Sequence, residues 1–473
     1  VKGVDVEALT TLLEEIAGFV WGPFLLIPLL LLTGLWLTIK LRGIQFRTLG
    51  SALRLALWER KDADAEGGDI SQFQALTTAL AATVGVGNIV GVATAIAMGG
   101  PGALFWMWVT GLVGMASKYS EAFLAVRFRT VDARGEASGG PQYYLKKALP
   151  GRWGVALSII FAVFAVLASF GIGNMTQANS VAANAQNAFG IDPQISAIVM
   201  AVFTGLVILG GIRAIGTVTA ALVPFMIVFY ILGALYILIV NIVDVPGALA
   251  LIFGQAFTGP GMAGGAFGSF MLAVQYGVAR GIFSNESGMG SAAIAAAAAQ
   301  TTHPVRQGLV SMTQTFIDTI VVVSFTGLVL VTTGVWDDGE SPALLTSMAF
   351  SHGLPGNWGG YIVAIGVILF AFSTILGWSY YGDRCVERLF GARATLAYRI
   401  LFTIVVYIGA TVPLGVVWAF ADIMNGLMAL PNLVGLLLLS GLIARETSHY
   451  LKNDPKLRAD RAQVDAFMAD QVR

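Results

Sequence analysis

Ala82-Thr83-Val84-Gly85-Val86-Gly87-Asn88-Ile89-Val90-Gly91 and Gly277-Val278-Ala279-Arg280-Gly281-Ile282-Phe283-Ser284-Asn285-Glu286-Ser287-Gly288-Met289-Gly290 are the two stretches on which the fold turns. Each sets glycines and small polar residues inside an otherwise apolar run. Glycine is a poor helix former but permits unwound backbone. Each run therefore predicts a membrane-spanning helix broken near its middle. Paired interruptions at corresponding places in two halves of a chain point to a binding site at the bilayer midplane.

The surrounding composition makes lipid the solvent. Of 473 residues, 56% are hydrophobic and 11% charged, against about 25% charged in an ordinary soluble domain. Long apolar runs predict eleven spans, because only helices or closed barrels satisfy the backbone in hydrocarbon. A leading helix covers Phe19 to Ile39, followed by an interfacial amphipathic stretch, Ile44 to Trp58, and a polar loop, Glu59 to Ser71. Five spans follow: Phe73 to Met98, Ala103 to Val126, Val155 to Phe189, Ile195 to Gly211 and Thr217 to Val243. Another five are Ala266 to Ala299, Leu309 to Val335, Gly360 to Leu389, Leu396 to Val412 and Ile423 to Ile443. Sets of odd number enter from opposite sides, which makes an inverted repeat. The units are 1–72, a first repeat 73–243, an extracellular linker 244–265, a second repeat 266–443 and a polar cytoplasmic tail 444–473. The fold class is an all-α polytopic membrane protein.

Lys and Arg fall on every second connection, from Lys40, Arg42, Arg47, Arg54, Arg60 and Lys61 to Arg445, Lys452, Lys456 and Arg458, while the alternate connections (Gly99 to Gly102, Gly190 to Gln194, Asp244 to Gly265, Trp336 to Gly359, Pro413 to Asp422) have none. The positive-inside rule then predicts an outside N-terminus and a cytoplasmic C-terminus. The acidic start, with Asp5, Glu7, Glu14 and Glu15, lacks the basic region of a cleavable signal, so the first apolar segment is expected to stay. Lys+Arg 27 against Asp+Glu 27 removes the basic excess a nucleic-acid binder needs. One cysteine, Cys385, and three scattered histidines, His303, His352 and His449, make neither a disulfide framework nor a catalytic zinc motif. No His or Cys lies centrally in a span, which argues against an enzyme.

Half-helix ends inside a membrane offer free N–H groups to anions and free carbonyls to cations. The N–H groups of Gly85, Val86, Gly87 and Asn88 are expected to receive a carboxylate, and the carbonyls of Ala81, Thr83 and Val84 to face a cation. A second reading makes Gly87 and Gly91 a Gly-x-x-x-Gly packing seam. Phe283 is placed to cover an apolar substrate side chain, or serves as ordinary packing. Glu286 is expected in the first turn of the second half-helix, as a cap or partner of Arg280 rather than a proton carrier. Asn174 and Gln177 share a face at i, i+3, where amides either bind substrate or tie helices together. Ser373 and Thr374 either bond the carbonyl of the preceding turn, as such hydroxyls commonly do, or, with carbonyls freed at Ala81 and Val84, complete the all-oxygen shell of a hard cation such as sodium. Asp318, Asp383 and Asp422 are further candidates for buried charge, although Asp383 and Asp422 lie near span ends and are expected to be solvated.

Gln74-Ala75-Leu76-Thr77, Ala82 to Ile89, Gly99-Gly100-Pro101-Gly102-Ala103, Gly139-Gly140-Pro141 and Arg280 to Gly288 together resemble the alanine or glycine:cation symporter family over nearly the whole chain. The resemblance implies a LeuT-like fold behind one extra helix and sodium-coupled uptake of small neutral amino acids across the plasma membrane, without an organic cofactor. It implies that Thr83, Gly85, Val86, Gly87, Asn88, Gln177, Phe283, Ser284 and Asn285 surround the substrate and that Ala81, Val84, Ser373 and Thr374 hold sodium, with Asn174, Arg280 and Glu286 behind them. Val86 stands where family members can carry a hydroxyl, which leaves only its backbone N–H. A proton-coupled carrier relying on Glu286 is the rival reading. A channel would need a continuous polar stripe or a repeated filter loop, and neither is present.

Overall fold

The computed structural model describes residues 6–22, 24–62, 65, 67–258, 265–339, 341–356, 358–412 and 415–469. Asp5, the middle of the linker at 259–264, Pro413 and the chain end at 470–473 lie outside the described residues. Before the leading span comes a helix not expected from sequence, α1 (Val6–Val20). The leading span itself, α2, runs Leu26–Lys40 and not from Phe19. Gly43, at φ 65°, turns the chain into α3 (Ile44–Glu59), bent 81° from α2, as an interfacial helix requires.

The first broken span consists of α4 (Gln72–Thr83) and α5 (Val90–Gly99), joined by a 3₁₀ turn at Val86–Asn88. Its start is fixed by a capping box: Ser71 Oγ accepts the Gln74 N–H at 3.2 Å and Gln74 Oε1 accepts the Ser71 N–H at 3.0 Å. Then come α6 (Gly102–Arg127), a small hairpin of β1 (Thr130–Val131) and β2 (Ala137–Ser138), and α7 (Pro141–Ala148). The first half closes with α8 (Gly151–Phe189), α9 (Pro193–Ile208) and α10 (Gly211–Val240).

The connection between the halves carries its own helix, α11 (Val245–Thr258), where a linker was expected. The second broken span is α12 (Gly265–Asn285) and α13 (Ala292–Ala297), followed by α14 (Pro304–Thr333). Another helix missed in a connection, α15 (Pro342–Gly353), precedes α16 (Trp358–Phe390), α17 (Ala394–Thr411), the long α18 (Gly415–Asn453) and α19 (Arg461–Ala469). Six of these helices are long and apolar enough to cross a membrane alone, seven with the bent pair α2 and α3. The other four spans of the eleven are the two broken ones, α6 with its buried Lys118 and Glu121, and the shorter α9.

The second break does not lie where the glycines begin. Gly277 and Gly281 are inside continuous α12, where an added Cβ would lie 2.4 Å from the Ala103 carbonyl oxygen and 2.3 Å from Thr110 Oγ1. They let α12 press on α6, as small residues do between membrane helices. Unwinding starts at Glu286 (φ 54°) and includes Gly288 (φ 91°) and Gly290 (φ 85°). Three polar groups pin this segment: Lys118 Nζ donates to the Glu286 carbonyl at 3.0 Å, Asn432 Nδ2 to the Gly288 carbonyl at 2.8 Å, and the Gly290 N–H to Glu121 Oε1 at 2.9 Å. The polar tail is helical at the surface, with α18 continuing to Asn453 and α19 after it, and is anchored through a few buried side chains. Tyr450, Leu457 and Val464 are buried, and Arg306 donates to Tyr450 Oη at 2.8 Å and to Asp454 at 3.3 Å.

Candidate functional site

Where the first break meets α16, two adjacent hydroxyls converge on one freed carbonyl. Ser373 Oγ lies 3.2 Å and Thr374 Oγ1 3.1 Å from the Ala81 carbonyl oxygen, and both also reach the Phe370 carbonyl one turn back, at 2.8 and 3.0 Å. This is a dense set of neutral oxygens in a buried place, the donor chemistry of a hard monovalent cation. Of the four residues expected to hold it, Ala81, Ser373 and Thr374 meet directly. Val84 ends the helix at the same turn, with its own N–H tied back to Leu80 at 2.7 Å.

Beside this cluster is a small cavity of about 10 Å³, roughly one water, lined by Ala82, Thr83, Gly85, Val86, Gly87, Ile172, Gln177, Phe283, Glu286, Thr374 and Trp378. Gly85 is a steric necessity, and Gly87 is tightly placed. A Cβ on Gly85 would lie 2.5 Å from Thr374 Oγ1, and one on Gly87 3.2 Å from the Phe283 ring. A Cβ on Gly91 would touch nothing within 4 Å, so the packing-seam reading of Gly87 and Gly91 does not hold.

The expected row of four free N–H groups is reduced to two. The Gly85 N–H donates to Asn88 Oδ1 at 2.9 Å and the Asn88 N–H to the Gly85 carbonyl at 3.1 Å. Among the described residues no partner is found for the N–H groups of Val86 and Gly87, two residues of the cavity lining. The Asn88 side chain turns away and donates to Asp318 Oδ1 at 2.7 Å. Ser284 does the same to Asp318 Oδ2 at 2.9 Å, and Asn285 donates to Thr319 at 3.0 Å. These three side chains tie both broken helices to α14 and do not line the cavity. Asp318, standing in a π-helical stretch of α14 (Phe316–Val323), joins the two breaks, as does Gln314 one turn earlier, whose Nε2 donates to Thr83 Oγ1 at 2.9 Å and to the Asn285 carbonyl at 3.3 Å.

The two amides of α8 divide their uses. Asn174 donates to the Phe402 carbonyl at 2.8 Å and joins α8 to α17. Gln177 donates to the Ile172 carbonyl at 3.0 Å and leaves its buried Oε1, at the cavity wall, without a partner among the described residues. Glu286 also departs from expectation. It sits in the unwound segment rather than in a helical turn, and accepts from Trp378 Nε1 at 2.9 Å and Ser291 Oγ at 2.5 Å. No ion pair with Arg280 is found among the described residues. Arg280 instead lies over the Phe283 ring at 5.5 Å, in an outer cavity of about 200 Å³ with Trp21, Tyr276 and Asp422. Phe283 lines both cavities and so forms the partition between them.

Ile172 and Trp378 were not anticipated as lining residues. Trp378 had a legible signal, being four residues after Thr374 and thus on the same helical face. Ile172 follows from a π-helical bulge, Gly171–Met175, that no sequence period announces.

Residues 6–464 match the model of the sodium:alanine symporter family. The sodium/alanine symporter AgcS of Methanococcus maripaludis is 52% identical over 454 residues, covering 94% of this chain and 99% of that one. The amino-acid carrier protein AlsT of Bacillus subtilis is 37% identical over 450 residues, covering 94% and 93%. Among solved structures, MhsT in complex with L-phenylalanine superposes with a TM-score of 0.55 at 16% identity, covering 85% of this chain and 99% of that chain. The bundle therefore has the LeuT-like fold behind a leading helix.

Proposed function

Because the chain belongs to the sodium:alanine symporter family, we propose that it carries a small neutral amino acid, alanine or glycine, into the cell together with sodium by alternating access. The observation that carries this reading is the convergence of Ser373 and Thr374 on the Ala81 carbonyl, one turn from the open N–H groups of Val86 and Gly87. Sodium sits among the carbonyls of Ala81 and Val84 and the two hydroxyls. The substrate carboxylate takes the N–H groups of Val86 and Gly87 at the positive end of the turn. The Gln177 oxygen accepts from the ammonium, and Phe283 covers the small side chain.

The cavity is too small for an amino acid as it stands, so loading requires the two broken spans to move apart from α8 and α16. Phe283, as the partition, moves with them. A Cβ on Gly85 or Gly87 would press on Thr374 or Phe283, so glycine at both positions leaves the backbone open to the ligand. The chain has its N-terminus outside, its C-terminus in the cytoplasm and its seat in the plasma membrane. It catalyses no covalent step, and the transported sodium is cargo rather than a resident cofactor.

Initial uptake of labelled alanine into proteoliposomes tests the reading. Uptake under an inward sodium gradient, absent with potassium and lost in Thr374→Ala, is the expected result. Uptake indifferent to sodium, driven by protons and lost in Glu286→Gln, would transfer coupling to the carboxyl at the cavity wall and sink the sodium site.

A further inference from the structure

At the cytoplasmic end of the leading helix, Lys40, Arg42, Arg47, Arg445 and Lys452 line one cleft of about 510 Å³, where the bend between α2 and α3 meets α18. Its remaining walls are Leu41, Ala444, Thr447, Ser448 and Leu451, so no acid contributes. None of the five cations forms an ion pair with a described acid, although nearby basic groups do: Arg54 with Glu59, Arg127 with Glu446, and Arg306 with Asp62. The one contact found for Lys40 is the face of Trp36, 4.7 Å from its ammonium. Five like charges in one recess repel one another unless an anion enters.

The surroundings indicate where that anion comes from. Ile39 and Phe46 beside the cleft are 64% and 65% exposed, and Trp36 is exposed below Lys40. Apolar surface thus continues from the basic recess towards the bilayer interior, with an aromatic ring at the headgroup level. We propose that the cleft binds the phosphate of an anionic phospholipid from the surrounding leaflet, and that this lipid ties the bend of the leading helix to the last spanning helix. The guanidinium groups of Arg42, Arg47 and Arg445 give the phosphate paired donors, and Ser448 adds a hydroxyl. The acyl chains lie along Ile39 and Phe46. This site is separate from the transport cavity and does not depend on the sodium reading.

The test uses the full chain equilibrated with equal phosphatidylglycerol and phosphatidylcholine of matched chains, with retained lipid counted by mass spectrometry. Phosphatidylglycerol should be retained at least about tenfold over phosphatidylcholine. The combined Arg42→Ala, Arg47→Ala and Arg445→Ala variant should lose that preference, and a variant with the same charge loss elsewhere, Lys146→Ala, Arg152→Ala and Arg393→Ala, should keep it. Should the triple variant fail to fold, Arg445→Gln alone, at an exposed position, should show a partial loss. Equal retention of the two lipids by the wild type, or equal loss in both triple variants, would overturn the proposal. Complete displacement of the lipid by millimolar inorganic phosphate would overturn it in favour of a soluble phosphate compound.

Discussion

Replacing Gly85 by alanine tests the cation site through a single methyl group. The Gly85 backbone has φ −137° and ψ −155°, which alanine adopts without strain. The cost is therefore purely steric: the new Cβ falls 2.5 Å from Thr374 Oγ1, where ordinary contact begins at 3.4 Å. Thr374 must withdraw its hydroxyl by about 1 Å or rotate χ1, and a β-branched side chain in a helix has few alternatives. Either movement takes the hydroxyl from the Ala81 carbonyl, now 3.1 Å away. Loss of one oxygen from a charged ligand set costs about 1.5–3 kcal/mol, roughly a 10- to 100-fold rise in half-saturating sodium. The assay is the sodium dependence of alanine uptake at saturating alanine. Gly91→Ala is the control, because its Cβ meets nothing within 4 Å. Unchanged sodium dependence in Gly85→Ala would refute the placement of Thr374 in the ion site.

Thr374→Ser keeps a hydroxyl and should retain most sodium affinity, whereas Ser373→Ala should raise half-saturating sodium roughly tenfold, both read from the same uptake curves. Gln177→Leu removes the unpaired oxygen at the cavity wall and should weaken alanine binding roughly tenfold with sodium affinity little changed, as equilibrium binding at saturating sodium would report. Lys118→Met leaves Glu121, otherwise 3.8 Å from its ammonium, as an uncompensated buried charge. The protein should lose about 3 kcal/mol by denaturation in detergent, and adding Glu121→Gln should restore much of it.

The spans were legible because apolar runs and alternating basic connections carry the membrane's constraint directly. Glycine density was a less certain guide. It located the first break at Gly85 and Gly87 but began the second too early, because Gly277 and Gly281 serve close packing against Ala103 and Thr110. The backbone itself separates the two uses, through the positive φ of Glu286, Gly288 and Gly290. Helices α11 and α15 were missed because they lie within connections where alternating charge reports only the side of the membrane, although Pro342 after Ser341 was a usable start signal. Ser373 and Thr374 could be paired with Ala81 only by combining their hydroxyls with the carbonyls freed at the first break and with the family resemblance. That Asn88 and Ser284 converge on Asp318, with Asn285 on the adjacent Thr319, could not be read this way, since it depends on how α14 lies against both breaks.

The most direct measurement of coupling is the alanine accumulated at steady state in proteoliposomes with imposed gradients. With one sodium per alanine, a tenfold inward sodium gradient at zero potential predicts about tenfold accumulation, rising to roughly 500-fold when 100 mV, inside negative, is added. Accumulation that followed an imposed proton gradient and ignored sodium would contradict the account.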